Sequence, residues 1–167
     1  MSEINALSSL QRQLDAMPPV AAMQVAVVGL DARGLCLRAP LQANVNDKHN
    51  AFGGSLVSLM TLAGWGWLSL HLQAAGEVAD VYVADSQLRY LTPVYEDLEA
   101  IAAPAEGEDE TKFLTTLRRR GKARIAIQAQ VALRSGVVAA SFGGHFVAMA
   151  KRGASLPDLE SVADATL

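Results

Sequence analysis

The sequence predicts an α+β fold in which an antiparallel sheet curls around one long central helix. Three observations carry this. From His49 to Gly76 there is no Asp, Glu, Lys or Arg, a span long enough for one buried helix. Short strand-like runs surround it, the clearest being Ile125, Ile127, Ala129, Val131 and Leu133 alternating with Arg124, Gln128, Gln130 and Arg134. Those runs are joined by hairpin turns, so consecutive strands pair antiparallel beside the single central helix.

The elements follow in order. Ile4, Leu7, Leu10, Leu14 and Met17 give residues 3–17 the spacing of an amphipathic helix, which Pro18-Pro19 is expected to stop. Met23 to Leu30 and Gly34 to Ala39 read as two strands joined by a turn containing Asp31 and Gly34. A polar loop precedes the central helix, which begins near Gly53, runs to about Gln73 and is closed by Gly76. Within it Gly64 and Gly66 each cost about 1 kcal/mol in helix propensity, which implies that a strand or a partner crosses closely there.

Residues 79–91 form a long strand ended by Thr92-Pro93, and Leu98 to Ala103 a short one closed by Pro104. Asp109 to Arg120 is a short helix with acids at its start and Arg118-Arg119-Arg120 at its end, the order that suits a helix dipole. The alternating strand around Ile127 turns at Ser135-Gly136 and returns as Val137 to Met149, where Gly143-Gly144 suggests a bulge or a close backbone approach. One domain over 1–152 is expected, followed by a tail over 153–167 with no clear period.

Composition narrows the function. The chain has 167 residues, 51% of them apolar, and a net charge of −3. That is an ordinary soluble composition, and its slight acidity argues against a nucleic-acid binder. No secretory signal opens the chain, so the cytoplasm is the expected compartment. The apolar stretch 55–72 raises the question of a membrane span, but its scattered Ser, Thr and Gly fit a helix buried by its own protein, with no membrane insertion. Cys36 is the only cysteine and reads as a buried, inert thiol. With three widely scattered histidines, no metal-ligand spacing is legible.

Chemistry concentrates in Asn44 to Ser55. A carboxylate (Asp47), an imidazole (His49) and the carboxamides of Asn44, Asn46 and Asn50 lie directly ahead of the helix. The free N–H groups at a helix start, with the positive end of its dipole, suit a polarised carbonyl or phosphate. Gly53 and Gly54 would let such a group approach the backbone unobstructed.

This layout resembles the hotdog-fold thioesterase superfamily. The resemblance rests on Asn-x-Asn, on Ala51-Phe52-Gly53-Gly54-Ser55 opening the helix, and on Tyr90-Leu91-x-Pro93-Val94 followed by Asp97-Leu98-x-Ala100. Nearest in appearance is the group known as the YiiD C-terminal domain family, over about residues 20–150. The resemblance implies a five- or six-stranded sheet around the helix. It also implies edge-to-edge pairing into a homodimer or homotetramer, and acyl-thioester sites between subunits. No cofactor is implied beyond the coenzyme A or phosphopantetheine of the substrate itself. In contrast to many hotdog hydrolases, the helix from Gly53 to Gln73 carries no carboxylate, which weighs against a dehydratase and leaves the loop to supply a base.

On that reading the Gly53 and Gly54 amides stabilise the carbonyl oxygen as charge builds on it. Asp47 activates water or attacks the thioester, and Asn46 orients water or the carbonyl. His49 is a further possible base. Phe52, Ser55, Ser58 and Thr61 line the substrate path, the last three on one helical side. Arg119 and Arg120 match the phosphates of coenzyme A. Asp85 is a substrate contact or, with Arg89 on the same strand face, half of an ion pair at the subunit seam. His71 and His145 read as structural. No Ser-His-Asp arrangement is legible. The expected function is an acyl-CoA or acyl-carrier-protein thioesterase, with a non-catalytic acyl-thioester binder or an enoyl-thioester hydratase or dehydratase as alternatives.

Overall fold

The computed structural model describes residues 3–151; the tail expected over 153–167 lies outside them. Helix α1 (Glu3–Asp15) is followed by α2 (Pro18–Ala22), strands β1 (Ala26–Asp31) and β2 (Gly34–Ala39), and the long helix α3 (Gly53–Ala74). Then come β3 (Ala79–Tyr90), β4 (Leu98–Pro104), α4 (Glu110–Arg120), β5 (Lys122–Ala132) and β6 (Val138–Ala150). Six strands form one antiparallel sheet in the order β1-β2-β4-β5-β6-β3. This is the expected α+β hotdog arrangement.

One element departs from the sequence reading. Pro18-Pro19 ends α1 but also opens α2, with proline in the first turn where no N–H is needed. The first strand consequently starts at Ala26 rather than Met23.

The sheet wraps α3 with its inner face. Ala123, Ile125, Ile127, Ala129 and Val131 of β5 point at the helix and are buried, together with Phe142, Phe146 and Ala148 of β6. From α3, Leu59, Met60, Ala63 and Leu68 are wholly buried against them. Each of the Leu, Ile, Val, Met and Phe side chains among these contributes about 1.5–3 kcal/mol of transfer free energy, the alanines less. The helix is long and apolar enough to cross a membrane, yet the share of its most apolar window buried inside the protein is 61%.

The mid-helix glycines are explained by packing. A Cβ on Gly64 would stand 2.8 Å from Cζ of Phe146 on β6, and one on Gly66 would stand 2.7 Å from Cδ2 of Leu35 on β2. Small residues here let the sheet close on the rod. At the far end, Gly76 takes φ +72°, so the Gly76 and Glu77 N–H groups can turn back to the carbonyls of Gln73 and Leu72. The close approach expected at Gly143-Gly144 is also present: a Cβ on Gly144 would meet the Asp85 carbonyl oxygen at 2.8 Å, beside a bulge in β3 between Val83 and Asp85.

Candidate functional site at the start of the central helix

Residues 45–51 fold into a miniature hairpin that delivers the chain to α3. Val45 and Ala51 form an isolated antiparallel bridge, and the Asn46 N–H donates to the Asn50 carbonyl at 2.8 Å. Asn46 works as the internal brace. Its Oδ1 accepts from the Lys48 N–H (2.8 Å) and Asn50 N–H (3.3 Å), while its Nδ2 donates to Asn50 Oδ1 at 2.7 Å. This is the Asx geometry that makes Asn favourable in tight loops. His49 closes the turn at φ +62°, a left-handed conformation that costs a non-glycine residue free energy.

Asn44 anchors the base of the hairpin. It is 2% exposed; its Nδ2 donates to the carbonyls of Met23 (2.9 Å) and Pro40 (2.8 Å), and its own carbonyl accepts from the Phe52 N–H. The Ala51 N–H donates to the Val94 carbonyl at 2.8 Å, which ties the loop to the segment after β3. The chain therefore enters α3 from a fixed direction.

At the helix start the Ser55 and Leu56 N–H groups donate to the Phe52 carbonyl, whereas those of Gly53 and Gly54 have no acceptor among the described residues. Two aromatic rings flank these free amides. The Phe52 ring occupies the position a Gly54 side chain would take, with Cε1 2.2 Å from an ideal Cβ. The Tyr90 ring lies over Gly53, 3.6 Å from its ideal Cβ, and the Tyr90 hydroxyl donates to the Gly53 carbonyl at 3.3 Å. Both rings remain half open, at 54% and 55% exposure. The paired glycines thus make room for the two rings beside the two unpartnered amides.

The other anticipated residues separate into groups. Asp47 and His49 sit at the exposed hairpin tip, and the Asp47 carboxylate, 80% exposed, is ion-paired to Lys48 Nζ at 3.0 Å. Ser55 is buried on the first turn of α3, with Ser58 and Thr61 half-buried farther along. Arg119 and Arg120 are exposed at the end of α4, beside the opposite end of the rod: the neighbouring Arg118 bonds Glu77 and the Ala75 carbonyl. Since α3 has 22 residues, about 33 Å separate its ends. The two glycine amides and the two arginines of one chain do not converge.

Asp85 is also displaced from the expected pairing. It does not meet Arg89; its Oδ1 lies 2.8 Å from His145 Nδ1, and its Oδ2 accepts from Arg124. The bulge in β3 puts Asp85 opposite His145, and the two share the outer face of the sheet with Arg124. The hydrogen bond from His145 and the charges of His145 and Arg124 hold the Asp85 carboxyl below its ordinary range. His71 Nδ1 lies 3.2 Å from Glu110 Oε2 while its ring stacks on Trp67, so it joins α3 to α4. Burial, with Glu99 nearby, pushes the Cys36 thiol up to about 11, which suits an inert side chain.

The structure gives Asn50, Tyr90 and Tyr95 contacts that the sequence did not show. Asn50 is buried, with Nδ2 3.5 Å from the Tyr95 hydroxyl. Tyr90 could have been noticed in sequence as the last residue before the Leu91-Thr92-Pro93 turn, but nothing local says that it reaches Gly53. A groove of about 660 Å³ also exists on the outer sheet face, lined in part by Arg38, Glu99, Ile101, Gln128, Gln130 and Arg134. It touches no residue of the hairpin or the helix start, and α3 lies on the other side of the sheet.

Comparison with known proteins identifies the family and the fold. Residues 7–150 match the model of a family described as putative thioesterases of the YiiD C-terminal type. A putative thioesterase from Shewanella oneidensis is 30% identical, covering 87% of this chain and 98% of its own, with a TM-score of 0.79. A protein of unknown function from Chlorobaculum tepidum is 27% identical, covering 90% and 98%, with a TM-score of 0.83. A Bacillus halodurans protein solved with CoA shares the fold at 17% identity and a TM-score of 0.62, covering 89% and 86%.

Proposed function

This chain belongs to the YiiD C-terminal family of putative thioesterases, and from that premise we propose that it hydrolyses acyl thioesters of coenzyme A or acyl carrier protein at the start of α3. The observation that carries the reading is the pair of unpartnered amides on Gly53 and Gly54, at the positive end of a buried helix and between two half-open rings. Donors held at such a position can lower the barrier by about 3–4 kcal/mol each when charge builds on the carbonyl oxygen. That a fold neighbour was solved with CoA supports the choice of substrate class.

In the proposed reaction the thioester oxygen accepts from the Gly53 and Gly54 amides. Asp47 takes a proton from a water molecule whose oxygen adds to the carbonyl carbon, with Asn46 fixing the hairpin that carries Asp47. Collapse of the adduct breaks the C–S bond, and the proton passes to the departing sulfur. The acyl chain lies along α3 past Ser55, Ser58 and Thr61, and Arg119 and Arg120 meet the coenzyme A phosphates.

A homodimer completes the site. The outer edge of β3, twelve residues long, has no strand paired to it among the described residues. Tyr82, Val83 and Tyr90 are exposed on this strand. A long unpaired edge of this kind is a template for another strand, and pairing with its own copy is self-complementary.

The test is a panel of acyl-CoA chain lengths assayed by thiol release, comparing the native protein with Asp47→Ala. A loss of about 100-fold or more in kcat is expected; undiminished turnover removes Asp47 from the mechanism. One observation favours a second reading, a non-catalytic acyl-thioester binder: Asp47 is exposed and held by Lys48, and α3 has no carboxylate to replace it. In that case acyl-CoA raises the melting temperature of the protein while no thiol appears.

A further inference from the structure

Gly143 is the one glycine among the described residues that the fold does not account for. Every other has a positive φ, a neighbour within 4 Å of its ideal Cβ or, at Gly29, a bulge beside it. Gly143 pairs in regular register with Gln87 on β3 and Gln128 on β5, and a Cβ there would meet nothing within 4 Å. Glycine weakens a strand interior; where no bulge or bend uses it, close approach by something outside the sheet is the remaining reason. We propose that Gly143 floors a binding site for a small phosphate-bearing ligand on the outer face of the sheet, away from α3 and separate from the thioester chemistry.

Register and alternation shape the site. Asp85, His145 and Arg124 mark the outer face, so Gln87, Arg89, Ser141, Gly143, Gln128 and Gln130 lie on it too. Arg89, Ser141 and Gln130 form one cross-strand row, and Gln87, Gly143 and Gln128 the next. In each row the middle residue is small and the outer two are long. Neighbouring strands lie about 4.8 Å apart, so the two walls stand roughly 10 Å from each other at their bases. Between them runs a trough along β6, floored by Ser141 and bare backbone and closed at one end by His145.

The polar groups select the ligand. Arg89 forms no ion pair among the described residues, and the side chains of Gln87, Gln128, Gln130 and Ser141 form no hydrogen bond there. The carboxylate bordering the trough, Asp85, is already held by His145 and Arg124, and Glu99, farther along the face, is taken up by Arg38. Arg89 is left as a cation without a counter-charge, among hydroxyl and carboxamide donors. A neutral ligand would leave that charge unmet, and a cation would be repelled by it. Donors on both walls and the floor match the three oxygens of a phosphate monoester, whereas one guanidinium fork is enough for a carboxylate.

Room for the body of the molecule lies next to the trough. The groove of about 660 Å³ on the same face has Gln128 and Gln130 as its near wall and Ile101 and Ala103 in its lining. That volume is the size of a small-molecule site. A phosphate seated over Gly143 can therefore carry a nucleoside-sized group that leans across β5 into the groove.

Calorimetry with inorganic phosphate and with AMP, against adenosine as the phosphate-free control, tests the assignment. AMP should bind the native protein at least about tenfold more tightly than adenosine, and Arg89→Gln should lower its affinity by about tenfold. Gly143→Ala should weaken AMP on the order of tenfold, because a methyl group then stands on the floor. The same change should raise the urea midpoint by about 0.3–0.5 M, since alanine is the better strand residue and meets no neighbour. Opposite movement of affinity and stability is what a purely structural glycine would not give. No binding of phosphate or AMP at millimolar concentration, equal affinity for AMP and adenosine, or AMP binding unchanged in both variants overturns the proposal. A change of oligomeric state with Gly143→Ala in sedimentation also overturns it, because the glycine then admits a second copy of the chain. So does loss of CoA binding in that variant, which would make the trough part of the thioester site. Acyl-CoA turnover should be the same in Gly143→Ala as in the native protein, and a native protein that hydrolyses no thioester leaves the binding test intact.

Discussion

The Tyr90 hydroxyl donates to the Gly53 carbonyl at 3.3 Å while the Tyr90 ring lies across Gly53 itself. One side chain from the end of β3 thereby fixes the first turn of α3, the turn that offers the free amides. Tyr90→Phe keeps the ring and removes the bond. A net loss of about 1 kcal/mol is expected in urea unfolding, with kcat for acyl-CoA reduced by about fivefold if the turn relaxes by the same amount. Tyr90→Ala, which removes the ring too, should cost more on both measures; equal activity in all three proteins would separate Tyr90 from the amides.

Phe52 and Gly54 make a second coupled pair. A methyl on Gly54 would lie 2.2 Å from Cε1 of the Phe52 ring, so either the ring or the helix start must shift. The ring is half exposed and can swing outward, but then it no longer flanks the site. Gly54→Ala should lower kcat by up to about 100-fold, the scale of losing one oxyanion donor. In a Phe52→Ala background the same change should cost much less, since the obstruction is gone. A double-mutant cycle on kcat/KM checks this, and additive effects would contradict it.

Gly64 sets packing against propensity. Alanine there would gain about 1 kcal/mol as a helix former. Its Cβ, however, would stand 2.8 Å from Cζ and 3.1 Å from Cε2 of Phe146, and 3.2 Å from Cγ2 of Ile127. Phe146 and Ile127 are buried in the core and have little room to retreat. Overpacking of this type costs about 1–3 kcal/mol, so Gly64→Ala should be net destabilising by roughly 1 kcal/mol in urea unfolding. A more stable variant would mean that the sheet is looser around the helix than its contacts imply.

These residues also mark how far the sequence could be read. The central helix was legible because a long stretch without charge can only be covered by its own fold or by a membrane. Gly64 and Gly66 announced a close crossing, since they are costly anywhere else in a helix. The hairpin strands were legible from alternation. What stayed hidden depends on register: one bulge between Val83 and Asp85 sends Asp85 to His145 and Arg124 instead of Arg89. Even spacing along one strand could not show a cross-strand partner. The site was legible as a loop of polar groups, but its aromatic walls were not. Tyr90 reaches Gly53 across 37 residues, and no local pattern encodes that contact. The separation of Gly53 from Arg119 follows only once Arg118 is seen to bond Glu77 and the Ala75 carbonyl beyond the far end of α3.

The Asp85 and His145 pair carries a pH signature. The hydrogen bond and charge of His145, with the charge of Arg124, lower the folded-state pKa of Asp85 below that of a free aspartate. A carboxyl whose pKa is depressed by folding contributes stability above its unfolded pKa, and that contribution disappears as pH falls through the folded value. Asp85→Asn removes the charge at every pH. The gap between native and variant urea midpoints should therefore close as pH falls through the unfolded pKa of about 3.9 and below. It should be smallest at the lowest pH where the protein still folds. The group is exposed, so the gap itself should be modest and shrink in high salt. A gap that persists unchanged at pH 3 would show that the carboxamide disrupts packing at the bulge, and that the ionised carboxylate is not what joins β3 to β5 and β6.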